Sequence, residues 1–130
     1  NLFSRKRMYI PVNLTNTHWC MLVVSLHTRP RTVQWFDSYN RPGTKYVQAI
    51  KHWLGDEALA RGVDIGNLDA RAEWTYDRGI SPQQYNCCDC GVFSLMCADF
   101  MSDDLPLDYA EGGMAHFRTK IAASIIRGCI

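Results

Sequence analysis

Several features that mark large functional classes are missing from this sequence. No apolar run approaches the ~20 residues that a membrane span needs. No secretory leader opens the chain, so export is not expected. Charge of one sign is missing too: 14 Lys and Arg stand against 13 Asp and Glu, for a formal net charge of +1. That balance provides no electrostatic footprint for nucleic acid or an acidic membrane surface. There is no internal repeat, no low-complexity tract and no separated pair of Cys-x-x-Cys motifs of the kind that holds structural zinc. What remains is a chain of 130 residues, 47% apolar, which suits one compact domain over residues 1–130 with a real core.

Cysteine is plentiful. Cys87, Cys88 and Cys90 crowd together, whereas Cys20, Cys97 and Cys129 lie in apolar contexts and read as buried small hydrophobes. With no leader, this pattern points to a reducing, intracellular setting, nucleus or cytoplasm. The basic triplet Arg5-Lys6-Arg7 is a fragment of the kind used in nuclear import, too short to weigh much.

Hydrophobic periodicity orders the chain. Met8 to Leu14 alternates loosely around Pro11 and reads as a short or edge strand. After the polar break Thr15-Asn16-Thr17, His18 to Leu26 is apolar on both faces, which predicts a central strand. Thr32 to Tyr39 is the next strand, a hairpin partner across the short turn His27 to Arg31. Tyr46, Val47, Ile50, Trp53 and Leu54 recur at helical spacing, with Gly55 as a stop and Glu57 to Arg61 as an added turn. Glu73 to Tyr76 is a short strand, Asp103 to Asp108 a linker, and Met114, Phe117, Ile121 and Ile125 mark a last amphipathic helix. Trp35, Trp53 and Trp74 read as core, and Tyr9 and Tyr39 as packing residues. Strands first, then helix, strand, buried helix and surface helix make an α+β class rather than an alternating doubly wound sheet.

The most informative stretch is the polar turn Gln83-Gln84-Tyr85-Asn86-Cys87-Cys88-Asp89, which runs into Cys90-Gly91 and an apolar segment to Met101. Neither Gly nor Pro interrupts Val92 to Met101, and an apolar helix of that kind sits inside a domain. Cys90 is then at the mouth of a buried helix, where unpaired N–H groups and the positive end of the dipole favour a thiolate. A cysteine nucleophile needs a base, and the base an orienter. His18 opens the central strand, Asp37 lies towards the end of its hairpin partner, and the two ends are side by side. Gln84, just before Cys90, can place an amide donor beside the Cys90 backbone N–H. His27, His52 and His116 are given no role.

His18-Trp19, Phe36-Asp37-Ser38 and Pro82-Gln83-Gln84-x-Asn86-x-x-Asp89-Cys90-Gly91 together resemble the Ulp/SENP cysteine proteases, and so does Met114-Ala115-His116-Phe117-Arg118. The order His, Asp, Gln, Cys matches, with Gln84 six positions before Cys90. The resemblance implies a papain-like α+β fold, with a small mixed or antiparallel sheet against the cysteine helix and flanking helices. It implies Cys90 as nucleophile, His18 as base, Asp37 as orienter and Gln84 as oxyanion donor. Trp19 would be one wall of a narrow tunnel for a Gly-Gly C-terminus. The substrate implied is SUMO or a related ubiquitin-like protein and its conjugates, with no cofactor, no metal and a monomeric enzyme. The alternatives are a NEDD-type or ubiquitin substrate, or an idle binding module.

Two departures stand out. Cys87 occupies a position where the family usually has glycine, so a left-handed turn there would strain the backbone by ~1 kcal/mol or more. The family's catalytic domains also extend further at the N-terminus, and this chain is expected to lack that part. A competing reading offers Cys87, Cys88, Cys90 and His18 to zinc, but adjacent cysteines are poor partners at one tetrahedral ion.

Overall fold

The computed structural model describes residues 2–128. Four strands form one sheet in the order β1 (Arg7–Leu14), β2 (His18–Ser25), β3 (Arg31–Phe36) and β4 (Trp74–Arg78). β1/β2 and β2/β3 are antiparallel and β3/β4 is parallel. The helices are α1 (Thr44–Arg61), α2 (Cys90–Ser102) and α3 (Met114–Arg127), with short 3-10 turns at Leu2–Ser4 and Glu111–Gly113. This is the α+β class expected from the order of elements.

β2 is the central strand because both its faces are covered. Cys20, Leu22 and Val24 pack with Val33, Trp35 and the α1 residues Val47, Leu54 and Ala58. Met21 and Val23, pointing the other way, pack with Phe36 and Cys97 of α2. Every β2 residue except Trp19 is buried. A third cluster, Val92, Phe93, Met96, Tyr109 and Met114, joins α2 to the start of α3. The sheet is thus a middle layer with α1 on one side and α2 with α3 on the other.

Four details depart from the periodicity. The expected strand 32–39 ends at Phe36, because Asp37 to Asn40 forms a turn in which the Asn40 N–H donates to the Asp37 carbonyl (2.8 Å). Gly55 does not stop α1. Leu54 and Ala58 continue the buried stripe past it, and Leu68 packs where a Cβ would sit, at 3.2 Å. The stop is Gly62 at φ 62°, whose N–H caps the Ala58 and Leu59 carbonyls. Trp53 is 39% exposed rather than core. Lastly, α2 is not buried all round, since Leu95 is half exposed beside α3. Cys129 lies outside the described residues.

Candidate active site

The strand register builds the first half of the site. The β2/β3 ladder ends at Met21 opposite Phe36. One step further sets Cys20 opposite Asp37, and His18 follows on the same face of β2. His18 Nε2–H donates to Asp37 Oδ1 at 2.7 Å, with both side chains almost wholly buried. The same carboxylate oxygen accepts the Tyr39 backbone N–H at 2.7 Å. Because Nε2 carries the proton given to Asp37, Nδ1 holds a lone pair, and it takes no hydrogen bond from any described residue. The Tyr39 ring stacks on the imidazole, with centroids 4.8 Å apart and planes at 28°.

Cys90 opens α2, as the apolar run predicts, and is buried. The N–H groups of a first helical turn have no intrahelical partners and gather at such a position. Trp19 reaches across from β2: a Cβ built on Gly91 would sit 3.7 Å from Trp19 Cδ1. Trp19 is 41% exposed, and with Cys88, Cys90, Gly91 and Leu95 it lines an open cavity of about 470 Å³. It is therefore a cleft wall and not core. The Cys20 thiol lies beneath, and burial first, then Asp37, push its pKa far up.

The loop before Cys90 is held at many points. Gln84 is buried. Its backbone N–H donates to the Ser38 carbonyl (3.0 Å) and its Oε1 accepts the Ser38 hydroxyl (2.6 Å). That fixes the amide orientation: Nε2 donates one hydrogen to the Asn86 carbonyl at 2.7 Å and has a second to give. Asn86 Oδ1 accepts the N–H groups of Cys88 and Asp89 (3.0 and 3.1 Å), and its Nδ2 donates to Asp89 Oδ2 (2.7 Å). Glu111 Oε1 accepts the N–H groups of Tyr85 and Asn86, both at 2.9 Å. Arg118 of α3 donates to Asp89 Oδ1 (2.6 Å) and the Cys88 carbonyl (2.7 Å). Arg118 first, and Asn86 second, hold the Asp89 carboxyl below its ordinary range. Cys87 is not among the residues with positive φ, so the left-handed turn that would have strained it does not occur.

Of the sequence-predicted residues, the structure brings His18 and Asp37 into contact, sets Trp19 against the start of α2 and buries Gln84 in the adjoining loop. His27, His52 and His116 are exposed. Cys87 and Cys88 are exposed and form no ligand group with His18 and Cys90. Among the described residues one metal-ligand grouping occurs, His18, Cys20 and Asp37, with ligand atoms within 4.8 Å. It consists of the His18–Asp37 pair, whose members already hydrogen-bond each other, and the thiol beside it. Sequence reasoning missed the supports: Ser38, Tyr39, Asn86, Glu111 and Arg118. Asn86-x-x-Asp89, a turn spacing ahead of a helix, offered a local signal, and Ser38 and Arg118 lie in the stretches that carry the resemblance, but nothing there gave them a role.

Comparison with known proteins gives the following. A family model described as the Ulp1 protease family, C-terminal catalytic domain, matches residues 1–130. Sentrin-specific protease 2 of Pongo abelii and that of Homo sapiens are each 30% identical over 130 residues, covering 97% of this chain. Ubiquitin-like-specific protease 1A of Arabidopsis thaliana is 29% identical over 122 residues. This chain spans 21% of the length of the two sentrin-specific proteases and 23% of the plant protein. Among solved structures, the catalytic domain of the Chaetomium thermophilum Ulp1-like SUMO protease superposes with a TM-score of 0.75 at 26% identity, over 98% of this chain and 48% of that one. A C-terminal Ulp1 protease domain in complex with Smt3, the yeast ortholog of SUMO, superposes at 0.74 and 23% identity, over 98% and 55%, and shows the shared fold.

Proposed function

The chain belongs to the Ulp1 protease family, and from that premise we propose that it is a cysteine peptidase that cleaves after the C-terminal Gly-Gly of SUMO or a SUMO-like protein. The observation that carries this reading is the buried His18–Asp37 pair, with one imidazole nitrogen unengaged, beside the helix that Cys90 opens. His18 Nδ1 takes the Cys90 proton, and the thiolate attacks the carbonyl of the terminal glycine. Asp37 keeps the tautomer and stabilises the imidazolium. The free Gln84 N–H and the Cys90 backbone N–H receive the oxyanion. His18 then protonates the leaving lysine amine, and water, activated by the same base, hydrolyses the thioester. Trp19 forms one wall of the open cleft beside Cys90, and a tunnel completed against it would select glycine, because any Cβ there would clash. Precursor processing and isopeptide cleavage use the same chemistry. We place the protein in the nucleus or cytoplasm; five free cysteines among the described residues fit a reducing compartment.

The test is a labelling panel with SUMO, NEDD-type and ubiquitin probes that end in an electrophile. An adduct with the SUMO probe, absent in Cys90→Ala, is expected. An adduct with another probe alone would change the substrate. Binding without labelling by a folded protein would make it an idle module.

A further inference from the structure

Tyr39 touches more of the site than a packing residue would. Its ring lies on the His18 imidazole, its backbone N–H donates to the carboxylate oxygen that His18 also engages, and its hydroxyl donates to the Asn86 carbonyl. That carbonyl is also the acceptor of Gln84 Nε2. The Arg41 guanidinium lies over the Tyr39 ring, 4.8 Å from its centroid. We propose that Tyr39 is a positioning residue of this site: its ring clamps the base while its hydroxyl pins the oxyanion loop, so that one side chain sets the two against each other.

The physical case rests on what each group is otherwise free to do. His18 is held at Nε2 alone, and one hydrogen bond leaves the imidazole able to tilt about that contact. A stacked ring at 4.8 Å restricts the tilt and so aims Nδ1. On the loop side, a carbonyl oxygen has two lone pairs. Tyr39 and Gln84 occupy both on Asn86, which fixes the peptide plane and with it the direction of the second Gln84 N–H. The phenol neither gives nor takes a proton in the reaction; it acts through His18 and Gln84.

This inference rests on the proposed protease chemistry, and its test separates the two. Tyr39→Phe keeps the stack and loses the hydrogen bond, whereas Tyr39→Leu loses both. With a SUMO–fluorophore substrate, Tyr39→Phe is expected to lower kcat about 10-fold with KM little changed, less than the ~10² lost with a whole oxyanion donor. Tyr39→Leu is expected to lower it further. The His18 Cε1–H NMR resonance, shifted upfield by the overlying ring, is expected to hold in Tyr39→Phe and to move downfield in Tyr39→Leu. Parental kcat in both folded variants, or a loss confined to KM or to the thermal midpoint, overturns the proposal. If the parent turns over no such substrate, the protease reading fails by itself. The His18 resonance and the rate of Cys90 alkylation, followed by peptide mass, then decide the clamp: both must change in Tyr39→Leu, and an unchanged pair ends it.

Discussion

At the scale of single residues, the site depends on side chains that hold other side chains. Gln84 can serve an oxyanion only if its amide faces the right way, and Ser38 decides that by donating to Oε1. Gln84→Ala is expected to lower kcat by about 10²-fold, in line with loss of one oxyanion donor. Ser38→Ala leaves the amide in place but free to turn over, so a smaller loss of about 10-fold is expected, and Ser38→Thr should restore most of it. Steady-state rates with the thermal midpoint as a fold control would check the series. A rate in Ser38→Ala equal to the parent's would show that the Asn86 carbonyl alone orients Gln84. The sequence showed Gln84 but not this dependence, because Ser38 and Gln84 lie 46 residues apart and nothing local joins them. Trp53 failed for the opposite reason: its helical spacing was right, yet it stays 39% exposed on α1.

At the scale of elements, β2 and α2 were legible because each is an almost wholly apolar run with a titratable residue at its entrance. Gly55 misled because a glycine in a helix costs only ~1 kcal/mol, which the buried stripe through Leu54 and Ala58 outweighs. The least legible link joins α2 to α3, where Arg118 grips Asp89 and the Cys88 carbonyl, the peptide that leads into Cys90. Arg118→Met keeps the stem and removes the charge. It is expected to cost about 1 kcal/mol of stability, the range of a well-formed pair whose arginine is half exposed, and to lower kcat as the start of α2 loosens. The sign with pH follows from Asp89, whose carboxyl Arg118 holds down. Its contribution is complete above the ordinary carboxylate value of about 3.9 and is lost as pH falls through the lower folded value. The stability gap between parent and variant should therefore close under acid. A gap that persists at low pH would mean that the Cys88 carbonyl, not Asp89, is the partner that matters.

For the whole molecule, the same linkage predicts a stability plateau with two edges of different origin. Three carboxyls sit below their usual range, each chiefly through a basic partner on another element: Asp104 with Lys6 and Arg7, Asp69 with Lys51 and Asp89 with Arg118. Together they tie the start of β1 to the end of α2, the loop before β4 to α1, and α2 to α3. The unfolded chain takes up these protons first as pH drops below about 4, so stability falls with acid there. At the other end, burial raises Tyr76 and Cys97 to about 12. Above the unfolded values, about 8.5 for the Cys97 thiol and about 10 for Tyr76, the unfolded chain loses protons that the fold retains, and stability falls again as pH rises. Salt tells the edges apart. The acidic edge rests on surface pairs that ions screen, so 0.5 M NaCl should flatten it. The alkaline edge rests on burial and should not move. Thermal midpoints from pH 3 to 11, with and without salt, would read both edges. A salt-indifferent acidic edge would show that these three pairs do not set it.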